Sequence, residues 1–140
     1  MQRIRFQPVS NLIVIPIKVM GIDGTSFRDV EVALDTGAST TSIPSYVVSA
    51  LGYNIPNPID DIITGSGVEK APIIEIKGLT AIGQTIENIE VVCLDLPPEI
   101  YVEGVLGLNF LINFDVHISF SKGIIELTEH TTLDGIYYPL

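Results

Sequence analysis

The chain has 140 residues, 46% of them hydrophobic, with 17 acidic side chains against 7 Lys and Arg and a formal net charge of −10. That length suits one domain with a real core, and that composition is too apolar for a disordered segment. The acidic balance disfavours nucleic acid and anionic membrane surfaces as partners, and is otherwise the charge of a solvated face. The lone cysteine, Cys93, excludes an internal disulfide, and with two widely separated histidines, His117 and His130, it leaves no ligand set for a structural metal.

The N-terminal residues carry Arg3 and Arg5 ahead of an apolar run at 12–17, but Pro16 and Lys18 interrupt it and no small-residue cleavage site follows. It reads as a strand, 12–20, and an intracellular, cytoplasmic protein is expected. No segment has the roughly 18 consecutive apolar residues of a membrane span. A second strand is expected at 29–34, where Val30, Val32 and Leu34 alternate with Glu31 and Ala33. Further strands follow at 71–77, 85–94, 115–119 and 124–128, rich in Ile and Val and bounded by Gly, Pro, Asn and Asp. Ser121-Lys122-Gly123 is the turn of a hairpin joining the last two strands. Only two stretches read as helix. One is 44–51, with Ser42 as candidate cap, Pro44 in the first turn and Gly52 past the end; the other is 108–112, after Gly107. No repeat or linker divides the chain. The expectation is one mostly β domain, and Cys93, within Val91-Val92-Cys93-Leu94, reads as a small core residue.

At the end of the second strand the sequence runs Ala33-Leu34-Asp35-Thr36-Gly37-Ala38-Ser39-Thr40. Asp-Thr-Gly after an apolar strand is an ordinary turn signal. The apolar brackets Leu34 and Ile43 also place the loop near the core, where a carboxylate would lose hydration. These residues alone leave turn and chemistry both open. Thr64-Gly65-Ser66-Gly67-Val68 reads equally as a flexible turn or a mobile hairpin tip, and it lacks the Gly-Lys-Ser/Thr ending of a phosphate loop. Gly104-Val105-Leu106-Gly107 reads as a strand end and tight turn. A metal-dependent hydrolase is excluded, because no H-E-x-x-H spacing is present.

Taken in order, these segments resemble the retropepsin-like, single-domain aspartic proteases. Residues 33–39 resemble the active-site motif. Ile43-Pro44 and the helix ending in Leu51-Gly52 resemble the segment that follows it. Residues 64–68 resemble the flap tip, and 104–111 resemble the hydrophobic-hydrophobic-Gly motif with its helix. The match covers about 10–128 of a single domain spanning 1–140. It implies a closed β-barrel with one or two short helices and an endopeptidase acting on extended polypeptides without a cofactor. Asp35 would be the catalytic acid, Thr36 a hydrogen-bonding residue linking two copies of the loop, and Gly37 the residue that lets backbone approach the carboxylates. Thr64, Gly65, Ser66, Gly67 and Val68 would bind substrate, with Ile63, Val68 and Val105 lining the site.

The family uses two such aspartates, and here there is one Asp-Thr-Gly. Asp23-Gly24 and Asp134-Gly135 lack the middle hydroxyl residue. The resemblance therefore implies a homodimer, with the second Asp35 supplied by a partner subunit. The tail, 129–140, is longer than in retroviral members, and its Ile136, Tyr137 and Tyr138 suit a dimer seam or an edge strand. Two departures from the family pattern stand out. Asn109 replaces a frequent Asp, and either residue can cap the following helix. Ala38 replaces a Ser whose hydroxyl would favour carboxylate ionisation, so a mildly acidic rate optimum is expected; a maximum below about pH 3 in a pH–rate profile would contradict it. The rival reading is a non-catalytic module of the same fold, serving dimerisation or peptide binding.

Overall fold

The structure, a computed structural model, describes residues 1–7, 11–57, 60–64 and 67–130. In chain order the elements are β1 (Gln2–Arg5), β2 (Val14–Met20), β3 (Phe27–Leu34), β4 (Thr41–Ile43), α1 (Ser45–Ala50), β5 (Asp60–Thr64) and β6 (Gly67–Ala71). There follow β7 (Ile73–Ala81), β8 (Gln84–Cys93), β9 (Gly104–Leu106), α2 (Leu108–Leu111), β10 (Phe114–Ser119) and β11 (Ile124–Glu129). Six strands close a barrel in the order β2-β3-β9-β4-β8-β7, while β1-β11-β10 form a three-stranded sheet and β5-β6 a two-stranded one. A mostly β chain with a closed barrel and two short helices is the architecture expected from the sequence.

The period of two along the strands explains the barrel. In β2, Ile15, Ile17 and Val19 are buried, while Pro16 and Lys18 between them are exposed. Pro16 falls outside Ile17–Val19, the stretch of β2 that pairs with β7, so its missing N–H costs no bond on that side. Val30 and Val32 of β3 meet Ile76, Leu79, Val91, Leu106 and Phe110 in one core. Burying each such side chain contributes about 1.5–3 kcal/mol. Tyr53 joins this core and satisfies its hydroxyl by donating to the Met20 carbonyl (2.6 Å) and accepting the Lys77 N–H (2.9 Å).

Three local readings needed correction. The strand expected at 71–77 is divided: β6 ends at Ala71, Pro72 intervenes, and β7 continues to Ala81. Its turn into β8 is Ile82-Gly83, both at positive φ (51° and 72°), a conformation that Ile82 tolerates while its side chain is buried. Ser42 does not cap α1. It lies in β4 with its hydroxyl buried and unbonded, and the first helical N–H, of Ser45, is instead accepted by the Asp95 carboxylate at 2.8 Å. Only the fold could bring that partner from beyond β8. Finally, β1 lies outside every strand expected from the sequence, because its short run exposes Gln2, Arg3 and Arg5.

Other readings held. Gly52, at φ 91°, ends α1 just past Leu51. The β10–β11 hairpin turns through residues 120–123, with Gly123 at φ 63°. Cys93 is buried, and burial lifts its thiol to about 11, so it stays protonated and inert. Among the described residues no helix is long and apolar enough to cross a membrane.

Candidate active site

The loop carrying Asp35 joins β3 to β4, and the barrel inserts β9 between those two strands. β9 runs parallel to β3, with Leu34 opposite Leu106, and antiparallel to β4, with Ser42 opposite Val105. The loop therefore leaves one neighbour of β9 and returns along the other. Such an insertion requires close backbone approach. A Cβ on Gly104 would stand 2.2 Å from the Ser42 carbonyl oxygen, and one on Gly107 would stand 2.8 Å from the Ala38 carbonyl oxygen.

Backbone hydrogen bonds hold the loop at both ends. At its start, Leu34 N–H donates to the Ile13 carbonyl (2.8 Å) and Asp35 N–H to the Leu106 carbonyl (3.0 Å). At its end, the carbonyls of Ala38 and Ser39 accept the N–H groups of Leu108 (2.8 Å) and Asn109 (3.1 Å), at the beginning of α2. Within it, Ala38 N–H closes a turn on the Asp35 carbonyl (3.2 Å), and Gly37 N–H donates to Asp35 Oδ1 (2.8 Å). Asp35 is thus a turn residue on a held backbone, its exposed carboxylate accepting the Gly37 N–H.

Behind the loop stands a polar node that sequence reading did not find. Thr41, fully buried, accepts the Gly107 N–H on Oγ1 (3.0 Å), and both its hydroxyl and its backbone N–H donate to Asn109 Oδ1 (2.9 Å each). The Asn109 amide nitrogen donates in turn to the Glu90 carbonyl of β8 (2.7 Å). Asn109 is therefore not the cap of α2. Gly107 occupies the cap position without a side-chain bond, and Asn109 ties α2 to β4 and β8. Leaving the buried Thr41 hydroxyl or the Gly107 N–H unpaired would cost about 1–3 kcal/mol. The only signal in the sequence was Asn109 between Leu108 and Phe110, and its separation of 68 positions from Thr41 hid the pairing.

Asp35, Thr36 and Gly37 come together at the surface, all exposed. This corrects the expectation that Leu34 and Ile43 desolvate the acid: Ile43 turns into the core and Leu34 is half-buried, so one chain leaves the carboxylate in water. Of the expected substrate-binding residues, Thr64 and Gly67 are paired at the end of the β5–β6 hairpin, and Val68 pairs with Ile63. The Val68 side chain is 68% exposed. Gly65 and Ser66 lie outside the described residues, as do residues 131–140 of the tail. Val105 is half-buried in β9. No group of three or more metal-ligating side chains occurs among the described residues.

Comparison with known proteins adds two findings. A family model described as "gag-polyprotein putative aspartyl protease" matches residues 20–113, a span holding the Asp35 loop, the β5–β6 hairpin, β9 and α2. No curated protein matches the chain. Among solved structures, the crystal structure of a retropepsin-like aspartic protease from Rickettsia conorii superposes with a TM-score of 0.65 at 22% identity, covering 89% of this chain and 87% of that one. At that identity the likeness is one of fold.

Proposed function

Because the chain belongs to the gag-polyprotein aspartyl protease family, we propose that it is an aspartic endopeptidase whose catalytic carboxylate is Asp35 and whose active unit is a homodimer. One observation carries this reading. A loop held at both ends by β9 and α2 presents an exposed acid whose carboxylate accepts, among the described residues, one N–H, that of Gly37. Such an arrangement is rigid but incomplete. A second copy facing it would supply the missing carboxylate and bury both.

Like charges about 3 Å apart cannot both ionise, so the paired Asp35 side chains share one proton. The ionised member takes a proton from a water held between them. Its partner donates its own to the oxygen of the scissile carbonyl as the water attacks. The resulting tetrahedral carbon collapses with transfer of a proton to the leaving amine. Thr36 of each loop braces the pair, and Gly37 keeps space beside the carboxylate. The β5–β6 hairpin, with Thr64, Gly67 and Val68 at the described end of its two strands, covers an extended peptide and offers it backbone hydrogen bonds.

The dimer requirement is tested by dilution. Hydrolysis of a peptide library per subunit should fall as the protein is diluted through its dimer dissociation constant, followed in parallel by sedimentation. Constant specific activity at concentrations where only monomer sediments would remove the shared dyad.

A further inference from the structure

A surface groove of about 390 Å³ lies between the start of α1 and the 94–103 segment that leads into β9. Its walls are apolar: Pro44, Leu96, Pro97, Ile100 and Tyr101 contribute, and Tyr46 closes one side. Tyr101 is 93% exposed, Tyr46 53% and Ile100 42%, so three of the large exposed apolar side chains gather at one place. A concentration of that kind marks an interaction surface. Among the described residues that line the groove there is no Lys or Arg, and there are two carboxylates, Asp95 and Glu103.

Both carboxylates are held in position. Asp95 accepts the Ser45 N–H at 2.8 Å, and Glu103 accepts the Tyr46 hydroxyl. That bond raises the Tyr46 phenol above its ordinary range, so the hydroxyl stays a donor. The Arg28 guanidinium sits 5.4 Å from the centroid of the Tyr46 ring, so that tyrosine face already carries a cation and the Tyr101 ring is the open one. The groove is also tied to the candidate active site. Glu103 N–H donates to the Glu31 carbonyl of β3 (2.8 Å), and Glu31 precedes Asp35 by four strand positions, about 13 Å at the usual rise.

From this apolar trough with fixed negative charge, on a chain of net charge −10, we propose that the groove docks a basic segment of the protein substrate. The stems of Arg or Lys side chains lie along the proline and tyrosine walls, and their charged ends reach Asp95 and Glu103. The inference rests on the protease reading for the identity of its occupant, but the binding it asserts needs no turnover.

The test therefore uses the full chain carrying Asp35→Asn and two fluorescein-labelled peptides, Leu-Pro-Arg-Leu-Pro-Arg and the same sequence with Glu for Arg, followed by anisotropy. The Arg peptide should bind and the Glu peptide should not. Adding Glu103→Gln, which keeps an acceptor for Tyr46, or Tyr101→Ala, which removes an exposed ring, should each weaken binding by about tenfold. Glu99→Gln removes a charge of the same segment outside the groove lining and should leave binding unchanged. Equal affinity for both peptides would overturn the proposal. So would an equal loss from Glu99→Gln and Glu103→Gln, which would mean that only the overall charge attracts the peptide. Arg-selective, Glu103-dependent binding by a protein whose wild type hydrolyses nothing would sink the protease reading and leave the groove standing.

Discussion

Replacing Asp35 by Asn should reduce peptide hydrolysis by about 10²–10⁴-fold or more, because an amide can neither take the proton from water nor share one with its partner. The substitution should leave the unfolding midpoint nearly unchanged, since the side chain is exposed and Asn can still accept the Gly37 N–H. The sharper result comes from mixing. If each active unit needs two Asp35 carboxylates, heterodimers of wild-type and Asp35→Asn subunits are inactive. Adding an equal amount of the variant to a fixed amount of wild type should then cut the rate to about half, as subunits redistribute statistically between symmetric dimers. A rate that ignores the added variant, at concentrations where subunits exchange, would place the whole chemistry in one chain. Full activity of Asp35→Asn alone would remove Asp35 from it.

Glycine to alanine at two positions of the same region should separate folding from catalysis. At Gly104 the new methyl would stand 2.2 Å from the Ser42 carbonyl oxygen, a backbone atom in a neighbouring strand of a closed barrel. Neither strand can yield without breaking the β4–β9 contact, so Gly104→Ala should destabilise the fold by about 3 kcal/mol, at the upper end of ordinary overpacking. At Gly37 the methyl would meet only the Asp35 carboxylate, 3.1 Å away. That side chain is exposed and can swing, so stability should hold. Its displacement should still lower kcat, on the order of tenfold to a hundredfold, because catalysis depends on sub-ångström placement. Urea unfolding and peptide hydrolysis, measured on both variants, check the pair. Unchanged stability in Gly104→Ala would mean that β9 is not wedged between its neighbours.

Much of this was available from local pattern. The alternation of Val30 and Val32 with Glu31, the Gly52 stop and the turn at residues 121–123 each depend on near neighbours in the chain, and each appears in the fold where local chemistry places it. The turn after β3 at Asp35 and the strand end at Gly104–Gly107 were likewise legible from residue types at short spacing. What depended on distant partners was misread. Ser42 looked like a cap and Asn109 like another, since both residue types have that local habit. In the fold Asp95 supplies the cap, and Asn109 is drawn instead to Thr41 and Glu90.

The chain's own letters were enough to identify a mostly β protein with one Asp-Thr-Gly at the end of an apolar strand. Only the tertiary structure decided how that loop is held and what surrounds it. Inserting β9 between β3 and β4 fixes the loop through bonds to Leu106, Leu108 and Asn109, all some seventy residues away in sequence. It also decided that a single chain leaves the acid in water. The flanking apolar residues turn towards their own core, Ile43 fully and Leu34 in part, so among the described residues Asp35 stays exposed.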